Sequence, residues 1–419
     1  MQKMQQMKFW RNLMENKIEV YEKKLENIFK NLEDVSLFNQ AKVLRAFQEN
    51  KISATDFYGT TGYGYDDKGR EKLGKVFANV FGTENAIVSP QITCGSHALT
   101  IALFGILRPG DVMLSVTGKP YDTLDDTIFG IEGKDNGSLK DFGVKFKQVD
   151  FKNDKLDFGE IEKQISSLKP KMVYIQRSRG YAWRDALFIS DIKKIVDLSK
   201  KLSPKSYVVV DNCYGEFIEK LEPTEVGADL IVGSLIKNPG GGLASSGGYL
   251  AGTNEAVELV SSRLTSPSLG TEVGSYERGY REFFQGLFLA PHVVKEALKG
   301  AYLIGAVMEE KGFEVLPNSE SKAGDIIKSI KFGSEQDMIS FVQKVQKFSP
   351  VDSFVLPMPW DMPGYNAPVI MAAGTFVSGA SIELSCDGPV KPPFIAYFQG
   401  GLTYEQIKLI AMELIEKID

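Results

Sequence analysis

Residues 206–242 read "SYVVVDNCYGEFIEKLEPTEVGADLIVGSLIKNPGGG". Two short apolar runs, "SYVVVDN" and "ADLIVG", carry the β-branched composition of strands buried on both faces, and such strands belong to parallel sheets covered by helices. The first ends on Asp211, and the second is followed by Ser234 and Lys237. Ligands of open α/β sheets collect beyond the carboxyl ends of strands, so the pair offers a carboxylate and an amine to one crevice. Asp211 also reads as an ordinary turn or helix-cap aspartate, and Lys237 as a surface lysine in a glycine-rich turn. A desolvated lysine at such a site is expected to have a lowered pKa and to condense with a carbonyl.

Outward from this stretch the same rhythm recurs. Helix-like "GREKLGKVFANVFG" leads to "NAIVSP", "SHALTIALFGIL" leads to "DVMLSV", and "KMVYIQ" precedes the quoted segment. Alternation of this kind predicts a mostly parallel sheet with helices on both faces. From about Thr271 to Gly312 the chain is helix-compatible, with a kink or break expected near "LAPH", and a boundary near residue 300 follows. Beyond it "GFEVLP", "DIIKSIKFG", "PVIMAAGTF", "ASIELS" and "FIAYFQGG" read as strands, with helices at "SEQDMISFVQKVQKF" and "TYEQIKLIAMELIEKI". They predict a smaller α+β domain with an antiparallel sheet. Helices of residues 1–50 are expected to pack on it, leaving 51–300 as the large domain and 301–419 as the small one.

The composition is that of a soluble globular protein, with 419 residues, 43% hydrophobic and 25% charged. A net charge of -5 gives no electrostatic reason to expect nucleic acid or anionic membrane as a partner, which leaves a small molecule. Cys94, Cys213 and Cys386 lie far apart and only His97 and His292 are present, so neither a disulfide framework nor a zinc cage is expected. The chain reads as cytoplasmic, with no signal peptide or membrane span and an amphipathic helix at its start. Asp66, Asp67, Asp125 and Asp126 read as caps or solvated charges, and no metal site is expected.

A nucleotide P-loop needs its glycines before the lysine, whereas here they follow it. "SLIK" matches S-x-x-K, but neither S-D-N nor K-T-G occurs. A structural turn stays open, although two glycine clusters within ten residues point to close backbone approach. In "TCGSHALTIAL" the small residues Cys94, Gly95 and Ser96 precede an apolar helix, so the amides of Gly95, Ser96 and His97 are candidates to hold a phosphate, or form an ordinary N-cap. Tyr121 follows the next strand, where its face can cover a flat ring.

The ordered set "CGSHA", "KPYDT", "VVVDNCYGEF" and "GSLIKNPGGG" resembles a pyridoxal-phosphate enzyme of the aspartate-aminotransferase fold, and more narrowly the Cys/Met-metabolism lyases. "TTGYGYDDKGREKL", "QRSRGYAWR", "KNPGGGLASSGGYLAG", "FFQGLFLAPHVV" and "CDGPVKPPFIAYFQGGLTYEQ" are similar to the methionine gamma-lyase-like or aluminium-resistance group. The resemblance implies fold type I, with pyridoxal 5'-phosphate held as an internal aldimine on Lys237 and its pyridinium nitrogen partnered by Asp211. It implies Tyr121 stacked on the ring, Cys213 against the opposite face, and Ser234 with the Cys94–His97 loop at the phosphate. Tyr58 and Tyr63 are similar to a segment lent to a neighbouring subunit, implying a homodimer or homotetramer with shared sites.

Relatives bind the substrate carboxylate through an arginine of the small domain, but no arginine follows Arg281 here. Lys391, or Arg177 and Arg179 of "QRSRGY", are the candidates for that task. The same "QRSRGY" stands in place of the loop in which related lyases put an asparagine near the ring hydroxyl, so Arg177 or Arg179 is also a candidate to contact that oxygen, or the two form surface ion pairs. The implied activity is β- or γ-elimination from a sulfur-containing amino acid. The alternatives are an aminotransferase, or a non-catalytic protein of this fold linked to metal tolerance.

Overall fold

The computed structural model describes residues 17–416 apart from 363, 364 and 366. The opening residues of the expected amino-terminal helix, 1–16, lie outside them; helices Lys17–Lys24 and Glu26–Glu49 follow. Two compact units form, one from Leu37–Pro291 and the other from the described residues up to Ser36 together with those from His292 onward. Both divisions fall inside continuous helices, Glu26–Glu49 and Arg281–Glu310, rather than at residues 50 and 300. Pro291 does not break the second of these, which runs for 30 residues.

The larger unit holds a seven-stranded sheet. Its strands are β1 (Asn85–Ser89), β2 (Val112–Ser115), β3 (Lys145–Gln148), β4 (Met172–Gln176), β5 (Tyr207–Asp211), β6 (Leu230–Ser234) and β7 (Gly248–Gly252), in the spatial order β1-β7-β6-β5-β4-β2-β3. Only β7 runs antiparallel to its neighbours. The strands β3, "KFKQ", and β7, "GYLAG", lack the apolar run of the others. Every residue of β4, β5 and β6 is buried. Burying a valine-sized side chain contributes about 1.5–3 kcal/mol, so Val208, Val209 and Val210 anchor the sheet centre. Helix Gly95–Ile106 is apolar on most of its circumference because it lies in the core, where Leu99, Ala102 and Leu103 meet Val209, Val232 and Leu250.

Strands β1, β2, β4, β5 and β6 point the same way, so the loops after them emerge at one edge. The chain order reverses between β2 and β4, the position at which open sheets form a crevice. There the Gln176 amide donates 2.9 Å to Thr117 Oγ1, tying the two strand ends together.

The smaller unit contains a wholly antiparallel sheet of β8 (Glu314–Leu316), β9 (Lys328–Lys331), β10 (Val369–Ala372), β11 (Ser385–Pro389) and β12 (Ile395–Gln399), in the order β10-β11-β12-β9-β8. The expected strand "ASIELS" is instead mostly a turn. The Glu383 carboxylate accepts the amides of Phe376 and Val377 at 2.8 and 2.9 Å, bending the segment before β11 begins. Helix Lys17–Lys24 is held to helix Tyr404–Glu416 by Glu22, which accepts from Tyr404 Oη and Lys408 Nζ at 2.8 Å each. No described helix is long and apolar enough to cross a membrane.

The glycines after Lys237 serve packing within the protein. A Cβ on Gly240 would lie 1.8 Å from the Leu235 carbonyl oxygen, and one on Gly286 of helix Arg281–Glu310 would lie 2.2 Å from the Gly240 oxygen. The close approach expected from the glycine clusters is therefore made, at these positions, to protein backbone. Gly286→Ala is expected to destabilise the large unit by about 1–3 kcal/mol, seen as a lowered thermal midpoint; an unchanged midpoint would show that the loop yields at no cost.

Candidate active site

Lys237 follows β6 and is half-buried, its Nζ 4.1 Å from the centre of the Tyr214 ring. Burial pushes the amine down, but Cys213, Tyr214, Asp211 and Glu216 together outweigh it and hold the pKa above the ordinary lysine value. The lowered pKa expected from desolvation alone is thus reversed, because the sequence around Asp211 supplies acidic neighbours. Asp211 ends β5, is 6% exposed, and accepts from the Cys213 amide at 3.1 Å and from Tyr174 Oη at 3.5 Å. Burial raises its carboxyl, with Lys237 the leading opposing influence. A buried carboxylate so weakly bonded calls for a cation.

At the other end, Ser234 Oγ is buried without a hydrogen-bond partner. The position a Cβ would take on Gly95 lies 3.5 Å from both Ser234 Cβ and Cys213 Sγ, so the three residues converge. Gly95 opens helix Gly95–Ile106, capped by Cys94, whose Sγ accepts from the His97 amide at 3.4 Å. The first helical backbone bond runs from Ala98 to Cys94, leaving the Gly95 and Ser96 amides before it. An orphaned hydroxyl beside a helix N-terminus suits a phosphate. Ser96 Oγ lies 2.7 Å from Thr123 Oγ1, which ties this helix to the Tyr121 loop. His97 Nδ1 is engaged by the Thr93 amide at 3.1 Å.

Burial pushes the Cys213 thiol far above its usual range, which keeps it a neutral packing group. Tyr121 is half-buried, its ring 6.4 Å from that of Tyr181. A Cβ on Gly180 would be 3.4 Å from the Tyr121 ring and 3.3 Å from Gln176 Nε2. Gln176 pairs in register with Asp211, and its Oε1 is buried without a partner.

Arg177 lies in a setting that the sequence does not announce. Its side chain is fully buried and committed to protein: Nη1 donates 2.8 Å to Asn212 Oδ1 and sits 3.5 Å from Glu222, while Nη2 meets Glu219 at 3.2 Å. These contacts give it the surroundings of a structural cation. Arg179 is 1% exposed. Lys391 is exposed in the smaller unit, between β11 and β12. Tyr58 and Tyr63 face solvent, 66% and 70% exposed, and no described contact ties them to Lys237.

Gln176, Tyr174, Tyr214 and Glu216 went unremarked in the sequence. Strand alternation offered a signal for Tyr174 and Gln176, since side chains two apart share a face with one another. Tyr214 and Glu216 had none, because Tyr214 and Phe217 adopt left-handed backbone, φ 69° and 64°, which local patterning does not announce.

A family model described as methionine gamma-lyase matches residues 14–419. A carbon-sulfur lyase involved in aluminum resistance from Clostridium novyi NT is 50% identical, with a TM-score of 0.93 over 98% of each chain. The Bacillus subtilis protein YnbB is 50% identical over 92% of this chain and 91% of its own. At 14% identity and a TM-score of 0.60, the pyridoxal-5'-phosphate-dependent protein YhfS from Escherichia coli shares the fold over 93% of this chain and 97% of its own.

Proposed function

Because this chain belongs to the methionine gamma-lyase family, we propose that it is a pyridoxal-phosphate-dependent carbon-sulfur lyase acting on a sulfur-containing amino acid. The observation that carries this reading is the convergence of Lys237, buried Asp211 and the orphaned Ser234 hydroxyl beside the Gly95 helix start. The residues fit the cofactor: Lys237 for its aldehyde, Asp211 for its ring nitrogen, Ser234 with the Gly95 and Ser96 amides for its phosphate. Tyr121 and Cys213 are the candidates for its two faces, and Gln176 for its ring oxygen. When bound, the cofactor supplies an electron sink that stabilises negative charge at the substrate α-carbon.

The chain's own groups do the rest. With Asp211 paired to a cationic nitrogen, Lys237 is less strongly held in its charged form and releases its proton more readily. With its amine uncharged, Lys237 would be the base for the α-proton. Arg179 and Arg177 of the loop after β4 are the candidate partners for the substrate carboxylate, since a guanidinium matches a carboxylate bidentately; Lys391 is the weaker choice. Exposed Tyr58 and Tyr63 support a homo-oligomer whose neighbouring subunit receives them.

Incubation with cystathionine, cysteine or methionine is expected to release keto acid, ammonia and thiol. No such product from any of them would overturn the lyase reading, and accumulation of the amine form of the cofactor awaiting a keto acid would mark an aminotransferase instead. Asp211→Asn keeps the shape and removes the charge. We expect it to fold and retain cofactor while turnover falls about 10²–10³-fold, measured by steady-state kinetics.

A further inference from the structure

Glu216 is a fully buried acid that the reaction above leaves unused. It lies five residues beyond Asp211, in a loop whose left-handed Tyr214 and Phe217 are costly for residues with a side chain. Glu216 fastens that loop at two points. Its backbone oxygen accepts 3.0 Å from Asn238 Nδ2, on the residue directly after Lys237. Its Oε1 accepts 2.7 Å from Tyr249 Oη on β7, while Oε2 is buried with no hydrogen-bond partner. Gly233, just before Ser234, makes the room: a Cβ there would lie 2.7 Å from Glu216 Oε1 and 2.5 Å from the Tyr249 ring.

We propose that Glu216 is a positioning residue that clamps the Lys237 turn onto the Asp211 loop and, through its carboxyl, sets how tightly the Lys237 nitrogen holds a proton. The proposal rests on the cofactor reading above. The groups that bear on this carboxyl are Tyr249 from β7, Glu222 from the segment after the loop, and Lys237 from the turn after β6. Behind them Asn212 bonds Glu222 at 3.1 Å, Arg177 sits 3.5 Å from Glu222, and Lys42 also acts on Glu222. Cys213 and Asp211 share the field around Lys237.

The sign follows from the charge. Burial pushes Glu216 up to about 8, so it is a neutral acid below that pH and an anion above it. An anion near Lys237 favours the protonated nitrogen, hence Glu216 extends that form to higher pH. A glutamine keeps the size and has no such anion at any pH.

The test is a visible-absorbance pH titration of the cofactor-loaded enzyme, with cofactor dissociation measured alongside. In Glu216→Gln the alkaline midpoint is expected about one unit lower than in wild type, a roughly tenfold loss of proton affinity. Tyr249→Phe removes a donor from the carboxylate, delays its ionisation, and is expected to move the midpoint the same way by a smaller amount; it carries the test if the glutamine variant does not fold. Midpoints and cofactor affinity equal to wild type in the folded variants would overturn the proposal while leaving the cofactor reading intact. A wild-type protein with no visible absorbance after loading would overturn both.

Discussion

Lys237→Ala is expected to leave a folded protein that gives no borohydride-fixed cofactor and turns over sulfur amino acids at least about 10³-fold more slowly. On the proposed reading two functions end with one side chain, because the same amine is both the attachment point and the base. The fold should survive, since this half-buried lysine is a contributor of charge rather than of core contacts. The loss should also relieve an interaction: with its cationic neighbour gone, buried Asp211 is expected to hold its proton to higher pH in the cofactor-free protein. Absorbance before and after borohydride, set beside thermal unfolding, checks both halves. A reducible adduct persisting in the alanine variant would place the attachment on another amine.

Arg177→Ala is expected to act in the opposite manner, through stability. Its guanidinium lies fully buried between Glu219, Glu222 and Asn212, and removing it takes from Glu222, itself 1% exposed, its nearer cation and leaves only the influence of Lys42. Breaking a buried ion pair from one side costs about 3–5 kcal/mol. For a unit of this size that corresponds to a midpoint lowered by roughly 6–20 °C. Glycine 215 sharpens the expectation, because the Arg177 side chain fills the space where its Cβ would be, 2.4 Å from Cδ. Thermal unfolding reads the effect directly. Substrate KM measured below the new midpoint should stay near wild type, and a large rise in KM with unchanged stability would restore the substrate-binding role.

Much of the larger unit was legible in the chain because a strand buried on both faces must be apolar throughout, and "MVYIQ", "YVVVD" and "LIVGS" are nearly so. The two missed strands show the limit. β3 is exposed along most of its length and β7 is built around glycines, so neither carries the burial signal that marks the others. "ASIELS" failed in the reverse sense: it has strand-like alternation, but Glu383 satisfies amides seven and six residues back and bends it into a turn. Side-chain competition for backbone donors is invisible to periodicity.

The sequence by itself determined the mostly parallel class of the large sheet, five of its strands, and the candidates Lys237, Asp211 and Ser234, because each of the three stands at or just beyond the end of a strand and strand ends are written in local composition. Only the tertiary structure decided which of the neighbouring polar residues are bonded within the protein and which keep an unpartnered atom. Gln176 pairs with Asp211 and presents an unpartnered amide oxygen, whereas Arg177, one residue on, bonds Asn212 and disappears among carboxylates. Successive side chains leave a strand on opposite faces, so a single position separates a group with an unpartnered oxygen from one held among carboxylates. Which face receives the charge depends on Glu219 and Glu222, more than forty residues away in the chain, and no local pattern records that.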